Sequence, residues 1–116
     1  MNEAEIFERF VELTIKNNEV WLLQAVDGMF ALTESADRTS FLAVWDLKED
    51  AAKAISEEWA EYSLVSMDLK EWIQWLNEMQ EDDAWIGIAP DENGKLIPVG
   101  AAELLRILVE AKKQQL

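Results

Sequence analysis

Residues 41–62 read FLAVWDLKEDAAKAISEEWAEY, and the fold turns on how this stretch divides. Phe41 to Trp45 are apolar without interruption, Asp46 stops the run, and Ala51, Ile55 and Trp59 then recur at a spacing of four. A short unbroken apolar run predicts a core strand, and the four-residue spacing predicts a helix. The chain is therefore expected to pass from strand 40–45 straight into helix 47–60. Asp46 and Glu49 stand three apart at the junction, the arrangement of a capping box. Ala51, Ala52 and Ala54 are small enough to let this helix approach a sheet closely. Trp45 marks one end of the unit, and Trp59 and Tyr62 mark the other.

Outward from this unit, Asp68-Leu69-Lys70-Glu71 repeats the tetrapeptide Asp46-Leu47-Lys48-Glu49. Beyond the cap the two stretches diverge, so they read as two strand-to-helix junctions under one constraint, not as an internal repeat. The first junction is followed by a strand over 62–67. The second opens a helix with an apolar stripe of Leu69, Trp72, Ile73, Trp75, Leu76 and Met79. Upstream, Ile6, Phe10 and Leu13 predict a helix over 3–16, capped by Asn2 with Glu5 and stopped at Asn17-Asn18. Asp27-Gly28 separates apolar runs 19–26 and 29–33, a hairpin signal in which both turn residues take positive φ. Downstream, QEDD at 80–83 is an acidic turn. Strands follow at 84–89 and 95–99, joined at Asn93-Gly94, and a helix spans 101–113 on Leu104, Leu105, Leu108 and Ala111. Gly87 inside a strand predicts a bulge or a close backbone approach, and Pro98 predicts that its strand is an edge or ends there.

The chain has 116 residues, one domain's worth, enough to bury a core without disulfides or metals. It carries 10 basic and 24 acidic side chains, a net charge of −14, which repels phosphate backbones and anionic headgroups. Nucleic acid and membrane surfaces are accordingly not expected partners; a basic protein, or a second copy, is. No apolar run approaches a membrane span, and the acidic start MNEAEIFERF lacks the pattern of a signal peptide. Cysteine is absent, and the expected compartment is the cytoplasm.

Without histidine or cysteine, the commonest general base, thiolate nucleophiles and ordinary zinc sites are closed to this chain. There is no glycine-rich phosphate loop. Paired carboxylates remain, but capping duty accounts for Asp46 and Glu49. The acids at 81–83 with Asp91, Glu92 and Asn93 do not match calcium-loop spacing and read as solvated turns. No catalytic residue, metal ligand or cofactor is assigned. The compositional surplus is tryptophan, six residues. Trp21, Trp72 and Trp85 read as core, with each indole N–H finding a partner. Trp45, Trp59, Tyr62 and Trp75 fall at element ends and a stripe edge, and are the candidate lining of an aromatic binding groove.

Val20-Trp21, Asp27-Gly28 with Phe30-Ala31, Val44-Trp45, Ala51 and Ala54, Trp59 with Tyr62, Met67-Asp68-Leu69, Trp75-Leu76, and Ile86-Gly87-Ile88-Ala89-Pro90 with Asn93-Gly94 follow one another in an order that resembles the bacterial domain-of-unknown-function family 2750. The likeness runs from about residue 6 to about 108. Prolines typical of the family around the tryptophan at 45 are replaced here by Leu42, Ala43 and Asp46. The resemblance implies a small bacterial protein of this element order and carries over no catalytic residue.

The expected architecture is α+β. A mixed sheet of five to six strands begins with an antiparallel meander, and four helices pack on it; a three-layer α/β/α arrangement is the alternative. If 41–45 and 62–67 lie parallel in one sheet, the crossover between them is right-handed. The expected function is a non-enzymatic protein-interaction module, in one version an immunity- or antitoxin-like inhibitor covering a basic site. The alternative is a small-molecule binding or hydrolytic domain using carboxylates in the aromatic groove.

Overall fold

The computed structural model describes residues 2–35, 37–55, 59–91 and 95–114. Its elements are α1 (Glu3–Asn17), β1 (Glu19–Gln24), β2 (Leu32–Glu34), β3 (Ser40–Val44), α2 (Lys48–Ile55), β4 (Ser63–Asp68), α3 (Leu69–Met79), β5 (Trp85–Ile88), β6 (Ile97–Gly100) and α4 (Ala101–Gln114). A short 3-10 turn, Gln80–Asp82, follows α3 where the acidic turn is expected. The class is α+β.

The strands divide into two sheets, not one. β1 and β4 form an antiparallel pair, and β2-β3-β5-β6 form a four-stranded sheet. The two are tied where Trp21 and Trp45 exchange backbone hydrogen bonds, N to O 2.8 Å and 2.9 Å. The expected crossover from 41–45 to 62–67 is corrected here. β4 lies antiparallel to β1, and the parallel neighbour of β3 is β5, with Leu42 opposite Ile86. β3 has no edge left for β4, because β5 takes one side and β2 and Trp21 share the other.

The meander survives in part. β2 and β3 are antiparallel, but β1 meets the following segment only at Gln24–Phe30 and where Ala31 N–H donates to Leu23. The turn between them is a three-residue loop, with Ala25 N–H reaching Met29 and Gly28 N–H reaching Ala25. Gly28 alone takes positive φ, +90°, so the expected two-residue turn with both positions left-handed is not formed. The Asp27 carboxylate instead accepts from Met29 N–H. Between β2 and β3, Asp37 accepts from the Ser35 hydroxyl and from Thr39 N–H, and these bonds, the Ser35 bond foremost, hold its pKa below the ordinary aspartate value.

Side chains alternate across the four-stranded sheet. Leu42, Val44, Ile86, Ile88 and Val99 enter a core with Phe10 of α1, Trp72 and Leu76 of α3, and Leu104 and Leu108 of α4. Ala43 faces the other way, into a smaller cluster with Leu23, Ala31, Trp45 and Ala51. Helix ends follow local chemistry. The Asn2 side chain accepts from Glu5 N–H while Glu5 answers on the Asn2 backbone, and Asn18 ends α1 in the left-handed region. Asp68 caps α3 by accepting from Glu71 N–H at 2.8 Å.

α2 is described as far as Ile55, and Trp59 already lies outside a helix; residues 56–58, which the expected helix includes, lie outside the described residues, as does the Asn93-Gly94 turn. Gly87 is closely approached, but by side-chain atoms and not by the backbone expected there. A Cβ built there would stand 3.0 Å from the Phe41 Cβ and 3.0 Å from a Leu96 methyl. Pro98 lies in β6, an edge strand.

The Leu96 methyl can swing away from a residue 87 side chain, but the Phe41 Cβ moves only with the β3 backbone. Gly87→Ala is therefore expected to cost about 1–3 kcal/mol, the range for overpacking, read as a lower urea midpoint at unchanged slope. A midpoint equal to the parent's refutes the close approach. For Asp37, a depressed folded pKa means its contribution to the loop is complete above the unfolded pKa and is lost as pH falls through the lowered one. An NMR titration should place the Asp37 carboxyl midpoint below the ordinary aspartate value, with the Thr39 amide shift following the same midpoint.

Candidate functional site

Trp45 is the first residue past β3, and the Trp21 bridge fixes its backbone. Its ring is fully buried, and its indole N–H donates to the Pro90 carbonyl at 3.2 Å. Ala89 makes this possible. It is held in the left-handed region, φ 51°, as its N–H donates to Val44 at 2.7 Å, and it turns the chain as β5 ends. That conformation costs a non-glycine residue roughly 1–2 kcal/mol, which the indole bond and the packing around it offset.

Trp59 packs edge-on against Trp45, ring centroids 5.8 Å apart, and Tyr62 joins the same cluster. Both are half-buried. Trp59 N–H reaches back to Ala54 and Tyr62 N–H to Trp59, so this bend returns the chain from α2 to β4. The structure thus brings Trp45, Trp59 and Tyr62 together, with Trp45 as the buried support and the other two as the partly wetted rim. Trp75 is not with them. It is half-buried in the larger core, 5.1 Å from Phe30 and 5.9 Å from Trp72.

The tryptophans expected in the core divide as well. Trp72 is fully buried, yet its indole N–H has no hydrogen-bond partner. Trp21 is half-buried, with the Lys48 ammonium 5.6 Å from its ring centre. Trp85 is 45% exposed, paired edge-on with Phe41 at 6.2 Å. It faces the side of the sheet away from the helical core, as the register alternation requires.

Asp46 does not cap α2. The helix starts at Lys48, and the Ala51 N–H donates to Leu47, so the N-cap position falls on a residue with no side-chain oxygen. The Asp46 side chain is buried and accepts from Arg9 Nε of α1 at 2.8 Å; its second oxygen has no partner. Arg9 also approaches Asp50 of α2 at 4.0 Å. The charge spacing of the sequence gives no hint of this pair, because its partners stand 37 residues apart. Beside it lies a cleft of about 690 Å³ lined by Asn2, Ile6, Arg9, Asp50, Ala89 and Lys95, among others. Among the described residues no three acidic side chains converge closely enough to hold a metal ion. No described helix is long and apolar enough to cross a membrane.

The family model described as Protein of unknown function (DUF2750) matches residues 7–108. The chain belongs to this family. The match spans the aromatic cluster, the Arg9–Asp46 pair and every strand of both sheets. No curated protein and no solved structure matches the chain.

The two copies of Asp-Leu-Lys-Glu give a direct comparison. Removing a cap, Asp68→Ala, is expected to cost about 1 kcal/mol. Arg9→Met leaves the buried Asp46 carboxylate without its donor, and a loss on the order of 2–4 kcal/mol is expected after allowing for the partly exposed guanidinium. Urea titrations of the two variants should keep that order; equal losses would show the Arg9–Asp46 pair to matter no more than a single cap bond.

Proposed function

We propose that this protein is a non-enzymatic protein-interaction module whose partner is basic. The observation that carries the reading is the aromatic rim, Trp59 and Tyr62, half-buried over the fully buried Trp45. Aromatic side chains with one polar end suit interfaces that are partly wet. The net charge of −14 supplies the complementary term, steering a cationic partner and rejecting phosphate-bearing ones. An immunity- or antitoxin-like inhibitor covering a basic site is the particular form of this reading. Its support is the combination of small size, strong acidity and a rim presented on a rigid base.

In this assignment Trp59 and Tyr62 touch the partner, Trp45 positions Trp59, and Trp75 contributes through the core it packs in. A small-molecule role has one observation in its favour, the cleft beside Arg9 and Lys95. That cleft lies apart from the aromatic rim, since no aromatic side chain lines it.

Crosslinking in the native cell followed by mass spectrometry should return a basic protein joined near residues 59–62. Its affinity for the purified protein should fall steeply as salt rises. The double variant Trp59→Ala/Tyr62→Ala should lose binding by roughly two orders of magnitude, the scale of an aromatic hot spot, while Trp75→Ala is matched to it as a stability control. Binding that ignores both salt and the double variant refutes the reading.

A further inference from the structure

Of the four strand edges that end the two sheets, that of β1 is bonded to Trp45 and Ala31, and two of the other three are guarded. β2 is only three residues long, and β6 carries Pro98. Short strands and prolines are how natural sheets prevent another chain from adding on. β4 is different. It spans six residues, SLVSMD, without proline, lysine or glycine, and its register on β1 runs unbroken from Ser63–Gln24 to Asp68–Glu19.

The hydrogen bonding of β1 decides which way β4 presents its backbone. Trp21 spends both its N–H and its C=O on Trp45, and Leu23 accepts from Ala31, so both residues face away from β4. Their partners across the ladder are Ser66 and Leu64. In an antiparallel pair such positions direct their own N–H and C=O outward. Among the described residues, no backbone group pairs with the outward N–H and C=O of Leu64 and Ser66. No residue of β4 is fully buried: Leu64 packs in one core cluster and Val65 and Met67 in the other, while Ser63, Ser66 and Asp68 are exposed. Tyr62, of the aromatic rim, immediately precedes this edge. Across 59–71 the charged residues are Glu61, Asp68 and Glu71 against Lys70 alone.

We infer that the outer edge of β4 docks an extended, lysine- or arginine-bearing segment of a partner protein, which adds as a strand to Leu64 and Ser66 beside Trp59 and Tyr62. The inference rests on the interaction reading above and names the mode of recognition. Strand addition draws affinity from the main chain and specificity from alternate side chains. A second copy fits the edge less well, since pairing would bring together two chains of −14 charge and set Asp68 beside the same acidic strand.

The test uses the full chain and a synthetic ten-residue peptide of alternating lysine and valine. The comparison peptides have glutamate in place of lysine, or the same lysine–valine sequence with alternate backbone nitrogens methylated. Fluorescence anisotropy should show binding of the first alone, and hydrogen exchange should slow at the Leu64 and Ser66 amides. Ser66→Pro removes an outward N–H and no bond to β1, and should weaken binding roughly tenfold, the worth of one or two such hydrogen bonds. Ser66→Ala keeps the N–H and should bind more tightly than Ser66→Pro does. If the proline variant fails to fold, the methylated peptide decides the same question on the parent chain. The inference is overturned if the lysine–valine peptide does not bind, binds equally when methylated, or leaves the two amides unprotected. It is also overturned if sedimentation shows a dimer that Ser66→Pro dissolves. A native partner that needs Trp59 and Tyr62 but is indifferent to Ser66→Pro sinks the strand-addition mode and leaves the interaction reading standing.

Discussion

The exchange of two backbone hydrogen bonds between Trp21 and Trp45 is the constraint on which the rest of the structure depends. Each such bond contributes only about 0.5–1.5 kcal/mol net. Their effect is geometric. They tie the β1-β4 pair to the four-stranded sheet at the point where β3 ends, and so place Trp45 between the strands and α2. With the backbone fixed, the indole is buried and needs an acceptor, which Pro90 supplies because Ala89 turns left-handed after β5. Trp59 then packs on a ring that is buried and hydrogen-bonded. The same two bonds commit one edge of β1 to β3, and the alternation of an antiparallel ladder carries that commitment across to β4.

The two apolar clusters divide the molecule unequally. The larger takes the face of the four-stranded sheet covered by α1, α3 and α4, and it tolerates polar atoms left unpaired, at Thr14 and Trp72. The smaller is built of alanines and Trp45 under α2, and its boundary is aromatic and half-wet. Between the helices of the two clusters stands the Arg9–Asp46 ion pair. Burying Asp46 with one oxygen unsatisfied is costly. The pair is better understood as fixing where α1 sits against the β3–α2 junction than as a source of net stability. The cleft beside it opens between those same elements.

Much of the fold was legible in residues 2–18, 40–55 and 68–114. Asn2 and Glu5 announce a helix start that needs only neighbours, and Asn18 announces its end. Asp68 does the same for α3. Gly87 and Pro98 report their positions because a missing side chain and a missing N–H have few structural uses inside a sheet. Strand partners were less legible. Ser63 to Met67 reads as a strand in any context, but whether it pairs with β3 or β1 depends on which edges the other strands leave open. The candidate groove divided for a similar reason. Trp45, Trp59 and Tyr62 meet because one turn of chain returns them to each other, whereas Trp75 follows its helix into the opposite core.

The two copies of Asp-Leu-Lys-Glu mark the boundary between local and tertiary control. By itself the sequence determined that a strand ends and a helix begins at each, since an aspartate after an apolar run and a glutamate three residues on favour that in water or in a fold. At Asp68 nothing else competes, the side chain remains exposed, and it caps α3. At Asp46 the fold brings a guanidinium from α1 to within 2.8 Å. The Arg9 bond joins two full charges, whereas a cap bond pairs one charge with a backbone N–H, and with Asp46 turned to Arg9 the same residue links α1 to the start of α2. Only the tertiary structure could decide this, because the competing donor is 37 residues away and has no local signature.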